Sequence, residues 1–254
     1  MTTIHELLDE YARMAPDQRT KGFYFERLIR EFLATDPVYS AQYDEVWLWQ
    51  DWPGREGKVD TGIDLVARDK FSREFCAIQC KFFSPEHYLT KEDIDSFFTA
   101  SGKHPFTSRI IVSTTNKWSK HATDALLDQQ IPTTRIGINE LEESGIDWSK
   151  YRFTDPSTLE KAEPKKLRTH QIEALGDVMR GFDEHDRGKL IMACGTGKTF
   201  TSLRIAERQV QPGGSVLFLV PSIALLSQSL REWAAESDRP MRAFAICSDN
   251  KVGR

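Results

Sequence analysis

Residues 189–199, KLIMACGTGKT, join an apolar run to a glycine turn, then to a lysine and threonine that open a helix. No other feature constrains the fold as tightly, because the pattern around it repeats. An amphipathic helix is expected at about 169–183, and the strand-like runs SVLFLV (215–220) and RAFAIC (242–247) each follow a further helix. Strands alternating with helices predict a parallel, doubly wound sheet. Three strands are few for that architecture, so the reading expects only part of a larger domain. The glycines would let backbone N–H groups wrap a polyphosphate, and the helix N-terminus adds favourable partial charge. Gly195, Thr196 and Gly197 would line that loop, Lys198 would reach the β- and γ-phosphates, and the Thr199 hydroxyl would hold Mg²⁺. The generic loop has a glycine where this chain has Met192.

The first half reads differently. Ile4, Leu7, Leu8 and Tyr11 recur at helical spacing, and Phe25, Leu28, Ile29, Phe32 and Leu33 make a second apolar stripe. VWLWQ (46–50) reads as a strand, followed by the polar loop PGREGKVD (53–60). TGIDLVARD (61–69) and REFCAIQCKFF (73–83) flank a short connection and predict an antiparallel pair. Thr90 and Asp93 signal a helix start, RIIVST (109–114) a buried strand, Ser119 a further helix and TTRIG (133–137) a last strand. The polar, two-proline stretch TDPSTLEKAEPKK (154–166) has no periodicity. It sets a first domain at 1–155, a linker at 156–166 and a second domain at 167–254. The fold class expected is α/β throughout: a mixed-sheet domain, then part of a parallel-sheet phosphate-loop domain.

Within FCAIQCKFF (75–83), Gln79 and Lys81 share a strand face with Ala77, while Cys76, Ile78 and Cys80 point the other way. A lysine in a buried strand is costly unless a nearby group needs its charge. An edge strand whose lysine reaches water is the plain alternative. The four cysteines at 76, 80, 194 and 247 fit neither a disulfide framework nor a close zinc spacing. With 34 Lys+Arg against 38 Asp+Glu, net −4, any nucleic-acid contact must be local. No signal peptide or membrane-length apolar run is present, and the reading is cytoplasmic.

Several segments resemble known families. LRTHQ (167–171) resembles the adenine-reading segment of superfamily 2 helicases, and LVPSIALLSQ (219–228) resembles the next helicase motif, which touches the nucleic-acid backbone. The resemblance implies that Gln171 reads adenine through its amide, with Arg168 beside it in the nucleotide site. The acidic motif that activates water is absent from the 254 residues, so the reading expects nucleotide binding without efficient hydrolysis by this piece. Asp64, then fifteen residues, then Gln79-x-Lys81 resembles the PD-(D/E)xK nuclease core in its Mrr-like form, where glutamine replaces the second acid. That resemblance implies an Mg²⁺ site made by Asp64, Gln79, the Cys80 backbone carbonyl and a helical acid, Glu26. Lys81 would orient the attacking water. Asp60 is a weaker ligand candidate, and an i,i+4 pair with Arg30 is the plain reading of Glu26.

The order of nuclease, linker and motor resembles the N-terminal part of single-polypeptide type ISP restriction-modification enzymes. The family implies cleavage of double-stranded DNA coupled to ATP-driven translocation, with methyltransferase and target-recognition regions further on. The rival reading is a non-cleaving, nucleotide-gated DNA-binding module of a helicase-like remodelling protein. A small phosphate-loop kinase fails for want of a lid or acceptor signature.

Overall fold

The computed structural model describes residues 3–57, 62–127, 129–152, 155–193, 195–239 and 241–246. Asp60, Cys194 and Cys247 lie outside them. The chain divides into two compact units, Met1–Ala162 and Glu163–Gly253.

The first unit begins with α1 (Ile4–Met14), capped by a reciprocal Thr3–Glu6 box, and α2 (Gln18–Thr35), whose N-cap is Asp17. Their buried residues are the two stripes read from the sequence. A short α3 (Pro37–Gln42) leads into β1 (Tyr43–Leu48), so Trp49 and Gln50 belong to a tight turn rather than to the strand. Then follow β2 (Leu65–Asp69), β3 (Phe75–Lys81), α4 (Glu92–Ser101), β4 (Phe106–Ser113), α5 (Lys120–Ala125), β5 (Thr133–Ile136) and α6 (Ile138–Glu142). The sheet order is β1-β2-β3-β4-β5, antiparallel through β3 and parallel from β3 to β5.

This order places β3 at the centre, and the edge-strand alternative for Gln79 and Lys81 falls with it. Both sheet faces are covered. Leu65, Ala67, Cys76 and Ile78 join the core beneath α1 and α2, while Val66, Ala77 and Ile111 pack with Ile94 and Phe97 of α4. A strand covered on both sides needs a continuous apolar run, which explains FCAIQC.

The expected linker is shorter than its composition suggests. β6 (Ile146–Asp147) pairs antiparallel with β7 (Glu160–Lys161), inside the stretch read as linker. Leu159 is only 5% exposed and belongs to the core of the first unit. On the far side, the Lys165 amide donates to Glu236 Oε2 at 2.7 Å and Leu167 packs against the second unit's core. Two prolines and several charges hide one anchoring leucine, and the 156–166 boundary is corrected to a connection near 162–164. Leu159→Ala should therefore destabilise the first unit by about 2–4 kcal/mol, as for a truncated core leucine. Denaturant unfolding measures this, and an unchanged midpoint would return residue 159 to the linker.

The second unit contains α7 (Thr169–Glu184), α8 (Lys198–Gln209) and α9 (Ile223–Glu236). Phe200 and Leu203 of α8 pack with Trp233 of α9, whose Nε1 donates to the Thr199 carbonyl at 3.0 Å. The segments 189–193, 215–220 and 242–246 carry no ladder pairing among the described residues. Ile191, Leu217 and Phe244 within them are 82%, 84% and 82% exposed. No helix among the described residues is long and apolar enough to cross a membrane.

Candidate active site and nucleotide loop

The first site forms where the chain enters β2. The Asp64 amide donates to the Ile78 carbonyl at 2.9 Å, although Leu65 already pairs with Ile78 in the register. Two residues therefore share one partner, the pattern of a β-bulge, which re-aims side chains at the end of a ladder. Here Asp64 Oδ2 turns onto the Cys80 amide, which donates to it at 2.7 Å. Two residues earlier the backbone passes through Gly62 at φ +90°, a conformation costly for any side chain, and an added Cβ would come 3.0 Å from Ser96 Oγ. The turn aims the Gly62 carbonyl at Gln79, whose Nε2 donates to it at 3.0 Å.

That bond fixes the orientation of the Gln79 amide, since only the nitrogen can donate to a carbonyl. Gln79 is 3% exposed, and its Oε1 has no hydrogen-bond partner among the described residues. An unsatisfied buried oxygen costs about 1–3 kcal/mol and calls for an explanation. A bound cation would supply one.

Lys81 continues the row at the end of β3, half-buried, opposite Ser113 in the parallel register. Its carbonyl accepts from the Thr114 amide at 3.1 Å. The Thr114 hydroxyl accepts from the Phe83 amide at 2.8 Å and donates to the Phe83 carbonyl at 2.7 Å. Thr114 thus fixes the backbone on both sides of Phe82. Sequence reasoning missed this role, because RIIVST reads only as a strand ending in a hydroxyl residue.

Glu26 comes from α2, on the opposite sheet face from Gln79. Phe25 beside it meets Phe82 edge-on at 5.6 Å, and Lys21 lies over the same ring at 4.6 Å. Burial pushes the Cys80 thiol pKa well up, the charges of Asp64 and Glu26 add to the rise, and Lys81 opposes it. The charges of Asp64, Glu26 and Lys81 are thus all felt at Cys80, near the end of β3. Arg30 bonds Glu31, its neighbour on α2. Among the described residues, no group of three or more His, Cys, Asp or Glu could hold a metal ion. A cation here would rest on no more than two carboxylates, Asp64 and Glu26, together with neutral carbonyl oxygens.

In the second unit Gly195 and Gly197 take φ +75° and +81°, and Gly197 caps α8 in the left-handed region. The Thr196 hydroxyl donates to the Ala193 carbonyl at 2.7 Å. Lys198 Nζ donates to the Met192 and Ala193 carbonyls at 3.2 and 3.1 Å, folding its ammonium over the loop. Gln171 is 4% exposed beneath that loop. Its Nε2 donates to the Thr196 carbonyl at 3.1 Å and lies 3.4 Å from that of Gly197, while Oε1 accepts from the Arg168 amide at 2.8 Å. Both ends of the amide are engaged with the chain here, which ties Gln171 to the phosphate loop as well as to the helix start. The Arg168 side chain is exposed. A Cβ at Gly197 would fall 2.4 Å from Gln171 Nε2, which requires glycine there for a second reason.

Comparison with known proteins places each half of the chain beside restriction enzymes. Residues 34–158 match a family described as restriction endonuclease, of the Mrr catalytic type. Residues 164–251 match the family described as Type III restriction enzyme, res subunit. The chain is a restriction endonuclease domain of the Mrr type followed by a helicase-type region of restriction enzymes. More particularly, it is similar to the ATP-dependent Type ISP restriction-modification enzyme LlaBIII, solved bound to DNA. Identity is 35% and the TM-score 0.80 over 96% of this chain, which spans 15% of that enzyme's length. Two other solved structures are 20% identical. The MspJI restriction endonuclease, solved with a 27-mer oligonucleotide, has a TM-score of 0.38 over 54% of this chain and 29% of its own. AF1548, of unknown function, has 0.36 over 61% and 78%. No curated protein matches the chain.

Proposed function

We propose that this chain supplies the cleaving domain and the nucleotide loop of an ATP-driven restriction enzyme that hydrolyses phosphodiester bonds in double-stranded DNA. The observation that carries the reading is Gln79 Oε1, buried without a partner beside a carboxylate whose direction is set by the Cys80 amide. The donors are hard oxygens, the kind Mg²⁺ prefers, and Mg²⁺ is commonly held by one or two carboxylates with substrate phosphates completing its shell. Asp64, Gln79 Oε1 and the Cys80 carbonyl would hold it, with Glu26 approaching from α2. When bound, the cation neutralises charge developing on the attacked phosphate.

The remaining work falls to this chain's own residues. Lys81 places its positive charge at the end of a central strand, where it can orient a water and stabilise the more negative transition state. In the second unit Lys198 would exchange its two carbonyl partners for the phosphates of ATP, and the Thr199 hydroxyl would hold the accompanying Mg²⁺. The coupled motor would move duplex DNA, and methylation and target recognition would belong to other regions of the same protein. Such a protein works in the cytoplasm.

The test uses the intact protein and long duplex DNA bearing its sites. Cleavage should require both Mg²⁺ and ATP and stop with a chelator. Cutting that continues without any divalent cation would overturn the reading of Asp64 and Gln79.

A further inference from the structure

Arg135 stands in the same row of the sheet as Gln79. The parallel register pairs Gln79 with Ile111 and Ile111 with Arg135, and paired residues share a face. Ile111 is buried on that face among the residues around α4, and Arg135 continues the row on the edge strand, exposed. Two strand spacings separate it from Gln79, about 10 Å. Its guanidinium lies over the Trp118 ring at 5.0 Å.

The indole is itself held in place. The Leu89 amide donates to the Lys117 carbonyl and the Ser119 amide to the Leu89 carbonyl, both at 2.9 Å, bracketing Trp118 in a short parallel bridge. The neighbouring cation Lys117 is already paired with Glu86. Arg135 makes no ion pair among the described residues. A guanidinium that is ordered, exposed and uncompensated loses little conformational freedom when it meets an anion.

We propose that Arg135, braced by Trp118, grips a phosphate of the substrate duplex about 10 Å from the one held at Asp64 and Gln79. The proposal rests on the nuclease reading only for the identity of the phosphate at the cut. Arg135 is a positioning residue: it sets where the duplex lies and leaves the chemical step to Asp64, Gln79 and Lys81.

The experiment measures duplex binding by the intact protein across a salt series, without divalent cation so that nothing is cut, and then cleavage with Mg²⁺ and ATP. Arg135→Gln should lower affinity about tenfold and reduce the slope of log K against log salt by about 0.9, the value of one released counterion. At subsaturating DNA its cleavage rate should fall with the affinity. Arg135→Lys keeps the charge and should keep the slope. An unchanged slope and affinity in Arg135→Gln would overturn the proposal, as would a slope reduced equally in Arg135→Lys. If the slope depends on Arg135 but wild type never cuts, the nuclease reading fails and the phosphate grip stands. If wild type cuts and Arg135→Gln binds like it, the grip fails and the nuclease reading stands.

Discussion

Lys81→Ala and Asp64→Asn should each reduce DNA cleavage by about 10²–10³-fold, equivalent to about 3–4 kcal/mol of transition-state stabilisation, while ATP hydrolysis and translocation continue. Lys81 is the end residue of a strand hydrogen-bonded on both sides, so losing its amine leaves the backbone in place. Asp64 needs the more careful substitution, because its Oδ2 also accepts from the Cys80 amide at 2.7 Å. Alanine there would orphan a buried N–H and confuse instability with lost chemistry. Asparagine keeps an acceptor and removes only the charge, so an unchanged melting temperature with lost cleavage isolates the metal role. Gln79→Glu is the informative third change. It adds a charge that strengthens cation binding, but it also sets a carboxylate oxygen against the Gly62 carbonyl where Nε2 now donates. Partial activity at lower Mg²⁺ is expected. Normal cutting by both Asp64→Asn and Lys81→Ala, with the motor running, would reduce Gln79 and Lys81 to polar residues of a covered strand.

The parts legible in the sequence are those fixed by local periodicity. Helices α1 and α2 bury the residues their stripes named, and the β2–β3 pair is antiparallel as the short connection required. Proximity of Asp64 and Gln79 was also readable, since a hairpin brings the start of one strand to the end of the next. What escaped depends on long-range geometry. That β3 is central follows from β4 pairing with it across α4, which no pattern within FCAIQCKFF reports. The bulge at Asp64 is visible only once both ladder partners are known. Leu159 is one apolar residue in a charged stretch, and its burial is decided by a core assembled from residues far earlier in the chain. The helicase resemblance implies a base contact for Gln171, while its contact with the phosphate loop 25 residues away depends on packing that no local pattern reports.

That arrangement sets the second large effect. Lys198→Ala should abolish ATP-driven translocation, with nucleotide turnover falling at least about 10²-fold, the scale for losing a charge aimed at a phosphoryl group. Fluorescence or calorimetric titration with ATP, beside a translocation assay, measures it; unchanged motion on DNA would remove Lys198 from the site. Gln171 then separates two roles that the sequence alone merges. A residue that reads adenine discriminates bases, so its loss weakens ATP and leaves GTP alone. A residue that clamps the loop, as its contacts to Arg168 and Thr196 indicate, acts on phosphate binding whatever the base. Gln171→Ala frees the Thr196 carbonyl and removes hydrogen bonds contributing about 1–1.5 kcal/mol, or about tenfold in affinity. The expected result is that ATP and GTP binding weaken by the same factor. A loss confined to ATP would show that Gln171 leaves the loop when nucleotide arrives and reads the base after all.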